Sequence, residues 1–281
     1  MNIVGLGNAG CKIASMFGEY EQYNIYYVGI GKRGKNCISL PKINSFEDAD
    51  RHNLKINLSK INTDETFFIV AGASKTSGFS LQILEKLKTK HVNLVYIKPK
   101  ESLLNEMEKK IEKMTFGVFQ EYARSGLFKR MYIIDNERVE KVVGKVSLLE
   151  YYDSINSVIS STIHMINYLT RSEKVMDNLL EPHRVSKICT LGILDIEAGA
   201  EKTFYDLKNI KEKQIFYLLT NEDLSREENV LTQITENIKN MKTDCDSISF
   251  SITQSVYEKS LAYVASYTNL VQGYDFLLTK Q

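Results

Sequence analysis

The chain carries almost no net charge. Its 36 lysines and arginines are balanced by 35 aspartates and glutamates over 281 residues, a formal +1 at pH 7. That is no field to draw nucleic acid or an anionic membrane as the main partner. No apolar run approaches the ~18 residues that read as a membrane span. No charged-then-apolar leader follows the start methionine, so neither membrane insertion nor a secretory signal is expected. Cys11, Cys37, Cys189 and Cys245 are scattered without a CxxC pair. They read as free thiols in a reducing, cytoplasmic compartment. His52, His91, His164 and His183 are equally dispersed, and no structural zinc site is expected. Repeats, low-complexity linkers and charged tails are missing too.

What remains is ordinary globular composition, 43% apolar and 25% charged, at a length suited to one large or two modest domains. The first half alternates. Strands are predicted at Asn2–Gly5, Asn24–Ile30, Thr66–Ala71, Val92–Ile97 and Met131–Ile134. Helical periods fall at Ala9–Glu19, Gly78–Lys88 and Leu103–Ser125, the last ended by Gly126. Strands separated by helices imply right-handed crossovers and a parallel sheet covered on both faces. Ser147–Thr170 keeps an apolar helical spacing over about six turns, with bulky groups on both faces. Arg171–Arg184 reads as a loop, with Pro182 near the start of a short helix. Strands at Thr190–Ile196, Gln214–Thr220, Ser247–Thr253 and Leu261–Tyr267 and a helix at Ser225–Met241 complete a mixed second part.

Two loops carry candidate chemistry. The first, Gly5-Leu-Gly-Asn-Ala-Gly10, runs from strand to helix, where glycine lets the backbone approach an anion and present amides at a helix N-terminus. A dinucleotide-binding Rossmann pattern requires a carboxylate at the end of the second strand for the ribose. Here Lys32 and Arg33 stand there instead, which disfavours NAD but suits the extra phosphate of NADP. The second loop, Val70-Ala-Gly-Ala-Ser-Lys-Thr-Ser-Gly78, is small and polar. Lys75 is misplaced for a GxxxxGK[ST] P-loop. Two such loops at the carboxyl ends of neighbouring strands would hold a polyphosphate from two sides.

Taken in order, these segments resemble the tubulin/FtsZ superfamily of filament-forming GTPases. GLGNAGCKIA resembles that family's first phosphate loop, and AGASKTSGFS sits where its glycine-rich signature belongs. YIIDNERV resembles the stretch that closes a later strand, and SLLEYYDSINSVI the start of the central core helix. The resemblance implies an α/β fold. A parallel-sheet, Rossmann-like GTP-binding domain would span residues 1–145, a central core helix 146–171, and a smaller mixed α/β activation and assembly domain 172–281.

It also implies site residues. Gly5, Gly7, Asn8, Ala9, Gly10 and Cys11 would wrap phosphates. Gly72, Ala73, Ser74, Lys75, Thr76, Ser77 and Gly78 would form the second cradle, with Ala73, Ser74 and Lys75 departing from the family's glycines and threonine. Asn136 and Asn156 would read guanine, and Tyr152 would stack on it. GTP or GDP with Mg²⁺ is the implied cofactor, with no metal ligand from the protein. The implied partner is a second copy in a head-to-tail homopolymer, with nucleic acid reached only through an adaptor. Hydrolysis would be completed by a loop inserted into the neighbour's pocket. Asp177, Asn178 and Glu181 match it, whereas Arg184 stands where a second acid belongs, so the hydrolysis implied is weak. A catalytically inactive tubulin-like scaffold and an NADP-binding oxidoreductase remain the alternatives.

Overall fold

A computed structural model describes residues 1–59, 61, 65–87, 91–225, 230–241 and 245–273. The chain divides into two compact units, Met1–Ser160 and Ser161–Gln281. The first unit runs β1 (Asn2–Leu6), α1 (Gly7–Met16), β2 (Asn24–Ile30), β3 (Cys37–Leu40), α2 (Asp48–Arg51), β4 (Glu65–Ala71), α3 (Ser80–Lys86), β5 (His91–Lys98), α4 (Glu106–Arg124), β6 (Arg130–Asp135) and α5 (Asn136–Val143). Short 3₁₀ turns at Lys75–Phe79 and Glu101–Leu103 precede α3 and α4. The helix α6 (Tyr151–Arg171) spans the division between the units.

In the first unit the strand order is β3-β2-β1-β4-β5-β6, and every neighbouring pair is parallel. A parallel sheet is buried on both faces, so its strands carry continuous apolar runs rather than alternation. Thus β1, NIVGL, is buried throughout, and Phe68, Ile69, Leu94 and Val95 are inaccessible. The chain works outward from β1 to β3, then returns to β4 and works the other way. The strand order therefore reverses between β1 and β4, and the loops leaving those two strands open at the same edge. This is where open α/β sheets bind ligands.

The helices owe their limits to local chemistry. α4 opens with a capping box: the Asn105 side chain accepts from Glu108 N, and Glu108 Oε2 accepts from Asn105 N at 2.9 Å. It closes in a Schellman turn at Gly126 (φ +85°), with Gly126 N donating to Ala123 O and Leu127 N to Tyr122 O. The helix predicted at Gly78–Lys88 is α3 behind its 3₁₀ turn, and Lys88 lies outside the described residues.

The second unit runs β7 (Met176–Asp177), β8 (Ile188–Asp195), β9 (Ala200–Thr203), β10 (Glu212–Leu219), α7 (Asn221–Ser225), α8 (Val230–Met241), β11 (Ser247–Gln254) and β12 (Leu261–Thr268). Residues 226–229 of the helix predicted at Ser225–Met241 lie outside the described residues. The strand order is β8-β12-β10-β11-β7, with β9 beside β8. It is mixed, because β10 and β11 are parallel while β12 runs against both its neighbours. Ile234 and Met241 of α8 pack with Ile215, Tyr217, Leu219 and Ile252. The helix expected at Pro182 does not form. Pro182 is buried, and the carboxylate of Glu212 accepts from His183 N at 2.9 Å and from the Ser186 hydroxyl, which fixes a turn instead. Among the described residues no helix is long and apolar enough to cross a membrane.

Candidate functional site

α1 begins immediately behind β1. Leu6 gives it no side-chain cap, and its first turn holds no acid. The N–H groups of Gly7, Asn8 and Ala9 precede the first intrahelical hydrogen bond, so they face outward with the positive end of the helix dipole. Glycine is required here for two reasons. Gly7 adopts φ +72°, and a Cβ on it would lie 2.5 Å from Thr76 Oγ1 of the second loop. A Cβ on Gly10 would lie 2.5 Å from Ile69 O, so α1 packs directly on the backbone of β4. Cys11 behaves differently from the expectation. It is the fifth residue of α1, where the N–H is already spent within the helix. Its buried thiol donates to Gly5 O at 3.2 Å and Val28 O at 3.6 Å. Burial pushes that thiol's pKa up. The Cys11 thiol thus ties the start of α1 to the backbone of β1 and β2.

The second loop is held by its own hydroxyls. Ser74 caps the 3₁₀ turn, with its Oγ accepting from Thr76 N at 3.3 Å and lying 2.7 Å from Thr76 Oγ1. Ser77 is buried and donates to Gly72 O and Ser74 O. Gly72 donates its N–H to Ile97 O and packs against Tyr96, whose hydroxyl donates to the carboxylate and carbonyl of Glu112 at 3.2 Å. Gly72, Ser77 and Gly78 thus shape the loop from behind. Ala73, Ser74, Lys75 and Thr76 line a cavity of about 390 Å³, closed on the other side by Asn105, Met107, Glu108 and Ile111 of α4 and its cap.

A second cavity, of about 370 Å³, shares Glu108 with the first. Asn8, Ala9, Lys12 and Ile13 of α1 form one wall, an i, i+4 face of the helix. Asn136, the first residue of α5, and Tyr152 and Asn156 of α6 form another. Asn156 is buried, while Tyr152 is 52% exposed with its ring edge-on to Tyr151. The Oδ1 of Asn136 is buried and makes no hydrogen bond. The preceding residue, Asp135, spends its carboxylate capping α5 through Glu137 N at 2.9 Å, and burial raises its pKa.

Lys100 also lines this cavity and is committed to Glu140 at 2.8 Å. That ammonium holds the Glu140 carboxyl below its usual range. Glu140 also accepts from Tyr151 at 2.8 Å, and burial with this carboxylate contact pushes the Tyr151 phenol up to about 12.

The cavity therefore has a donor-rich helix end, a half-exposed aromatic face, the three carboxamides of Asn8, Asn136 and Asn156, and an unmet buried acceptor. An acceptor without a partner costs about 1–3 kcal/mol, and a ligand N–H removes that cost. The residues present suit a purine nucleotide, with phosphates toward Gly7–Ala9 and the second loop. Among the described residues no group of three or more His, Cys, Asp or Glu could hold a metal ion. Lys32 and Arg33, the cations on which an NADP reading rests, lie beyond β2 and line neither cavity.

Asp177, Asn178 and Glu181 belong to the second unit. Asp177 lies in β7, opposite Ser251 of β11. Its carboxylate is bound by Lys174 at 2.9 Å and accepts from Leu179 N, which holds its pKa below the usual range. Asn178 N donates to Phe250 O, and Glu181 is exposed. Sequence reasoning missed Lys12, Lys100, Glu108 and Tyr151 around the second cavity. Lys12 was legible as the residue four after Asn8, on the same helical face.

No family model matches the sequence, and no curated protein matches it. Solved structures do match the fold. The GDP-form protofilament of TubZ from Bacillus thuringiensis serovar israelensis superposes with a TM-score of 0.74 at 14% identity, over 95% of this chain and 86% of that one. A GTPγS-bound protofilament of CetZ2 from Haloferax volcanii gives 0.70 at 13%, over 95% and 92%. An FtsZ dimer from M. jannaschii gives 0.67 at 11%, over 95% and 87%. The chain has a tubulin/FtsZ-like fold.

Proposed function

From a tubulin/FtsZ-like fold, we propose that this chain binds GTP or GDP with Mg²⁺ at the β1/β4 switch point and polymerises head-to-tail into cytoplasmic filaments, hydrolysing GTP weakly at the subunit contact. One observation carries the reading. Asn8 and Ala9 of the first loop, Asn136 of α5, and Tyr152 and Asn156 of α6 line a single cavity, and Asn136 brings to it a buried acceptor without a partner. Carboxamides carry both donor and acceptor for a purine edge, and the ring of Tyr152 offers a stacking face. Phosphates would take the free amides of α1 on one side and Ser74, Lys75 and Thr76 on the other, with Lys75 acting as a point charge. Mg²⁺, when bound with the nucleotide, would supply charge neutralisation for the phosphates.

Polymerisation draws support from the solved neighbours, several of which are protofilaments or filaments. A head-to-tail contact is heterologous and stays open. Residues 172–281 would be the activation and assembly domain, presenting Asp177, Asn178 and Glu181 to the next subunit's nucleotide. A carboxylate already bound by Lys174 is a weaker base for an attacking water, which is the physical ground for slow turnover. The inactive-scaffold reading draws on a different observation: the Ser74 and Thr76 hydroxyls are turned on each other, and Thr76 abuts Gly7, which narrows the phosphate side.

The test is pelleting of purified protein with Mg²⁺ and GTP, GDP, ATP, NADPH or no nucleotide, with phosphate release read in the same tubes. GTP-dependent pelleting with slow release is expected. Pelleting without release supports a static polymer. NADPH binding without GTP binding, or monomers at every concentration in GTP, overturns the reading.

A further inference from the structure

We infer that Gln214 of β10, oriented by Tyr267 of β12, is a positioning residue for the loop that presents Glu181. The inference rests on the head-to-tail GTPase reading above and extends it to residues behind the loop, which neither the motif nor the resemblance supplies. β7 and β8 lie at opposite ends of the order β8-β12-β10-β11-β7, so the chain from Asp177 to Ile188 has three strands to pass. β10 holds it on the way. Gln214 Nε2 donates to Leu180 O at 2.8 Å. The carboxylate of Glu212, two residues back on the same face of the strand, accepts from His183 N and the Ser186 hydroxyl.

The two anchors bracket Glu181. The Leu180 carbonyl belongs to the planar peptide unit that also contains the N and Cα of Glu181, so a bond to that oxygen fixes the plane from which Glu181 departs. On the other side stands Pro182, which is buried. Its ring locks its own φ and disfavours helical backbone in the residue before it. His183 N, tied to Glu212, closes the bracket. The Glu181 side chain is exposed and has no ion pair among the described residues, whereas Asp177 is held by Lys174. Its backbone is therefore fixed while its carboxylate is open.

Gln214 suits the task because a carboxamide donates at one end and accepts at the other. Tyr267 is buried and faces Glu212 across the antiparallel ladder. It reaches diagonally to Gln214, where its hydroxyl donates to Oε1 at 2.6 Å. That contact assigns the oxygen end and leaves Nε2 aimed at Leu180 O. The bond to Leu180 is open to solvent, so water replaces it at little cost to stability. What is lost is the placement of Glu181, and a displacement of about 1 Å near a reacting centre is worth up to ~100-fold in rate.

The experiment compares the full chain as wild type, Gln214→Leu, Gln214→Glu, Tyr267→Phe and the Gln214→Leu/Tyr267→Phe double variant in Mg²⁺ and GTP. It reads phosphate release per pelleted subunit, the amount pelleted, the dissociation constant for GTP, and amide exchange over residues 179–186. Gln214→Leu should slow release about fivefold, the worth of one hydrogen bond, and speed exchange in the loop, with GTP affinity and pelleting at wild-type values. Gln214→Glu keeps the acceptor for Tyr267 and loses only the donor, so it should match. Tyr267→Phe should slow release less and add nothing to Gln214→Leu, since both act through one amide. Release at the wild-type rate in both Gln214 variants overturns the inference alone. So does a Tyr267→Phe loss that adds in full to that of Gln214→Leu, slower release with unchanged exchange, or a fall in release that only follows a fall in GTP affinity or pelleting. A wild type that does not pellet in GTP, or that pellets and releases no phosphate, overturns the hydrolytic reading and the inference together.

Discussion

Replacing Asn136 by leucine should make the nucleotide-free protein more stable and the nucleotide complex weaker. Asn136 Oδ1 is buried without a hydrogen bond, a condition that costs about 1–3 kcal/mol. Leucine is close in volume, carries no polar atom and is the better helix former by a few tenths of a kcal/mol, and helix capping here belongs to Asp135 rather than Asn136. The expected gain is about 1–2 kcal/mol without ligand. For a unit the size of Met1–Ser160, that is a rise of roughly 2–8 °C in melting temperature. In GTP the order reverses. Losing an acceptor that the base satisfies removes about 1–3 kcal/mol of binding, roughly 5- to 150-fold in affinity. Ligand stabilisation, about 2.7 kcal/mol at a hundredfold excess over Kd, shrinks with it. Melting curves with and without GTP, together with a titration calorimetry isotherm, measure both halves. A variant that melts lower without ligand and binds GTP as well as wild type would refute the argument, because Asn136 would then be serving the fold.

Three further outcomes follow from the geometry. Gly72→Ala would place a Cβ 1.9 Å from Tyr96 Oη and 2.6 Å from Cζ. It should destabilise by about 3 kcal/mol, and the double variant with Tyr96→Phe should not recover, because the ring carbon remains in the way; urea midpoints decide it. Glu112 has its pKa raised by burial. A carboxyl raised in the folded state binds its proton more tightly there, so stability falls as pH climbs from the unfolded value through the folded one. Glu112→Gln keeps an acceptor for Tyr96, so it should shift the urea midpoint upward at pH 7 and leave it unchanged below pH 4. Asp177 has the opposite sign: its lowered pKa contributes stability above the unfolded value, lost as pH falls through the folded one. Lys174→Met should cancel that small, salt-sensitive share and, by restoring the carboxylate's basicity, speed phosphate release from polymer; release at the wild-type rate would remove Asp177 from the hydrolytic argument.

Much of this architecture is legible because parallel strands are buried on both faces. ETFFIVA and HVNLVYIK announce themselves as unbroken apolar runs. Cys37–Leu40 does not, since it is four residues long at the sheet edge and only Leu40 is buried. α5 is hidden by its charge, NERVEKVV, and is held by the Asp135 cap and one buried valine. The Asn105–Glu108 capping box was readable from spacing, and it moves the start of α4 past the 3₁₀ turn. At the candidate site, residues on the loops and the core helix could be nominated by motif. Glu108 and Lys100 could not: they reach the cavity through the packing of α4 and the strand-end turn after β5, which no local pattern encodes. Cys11 is a motif position whose packing the motif does not reveal: its thiol is turned to the backbone of Gly5 and Val28.

The seam between α1 and β4 also has a meaning during synthesis. Gly10 packs on Ile69, and Gly7 on Thr76, so the N-terminal loop cannot take its final form until about 60 more residues have been made. At 5–20 residues per second, that is a wait of roughly 3–12 s. Through that interval β1, a wholly apolar edge but for Asn2, has only β2 to pair with, and the nascent chain carries an open strand edge of the kind that recruits chaperones or neighbouring chains.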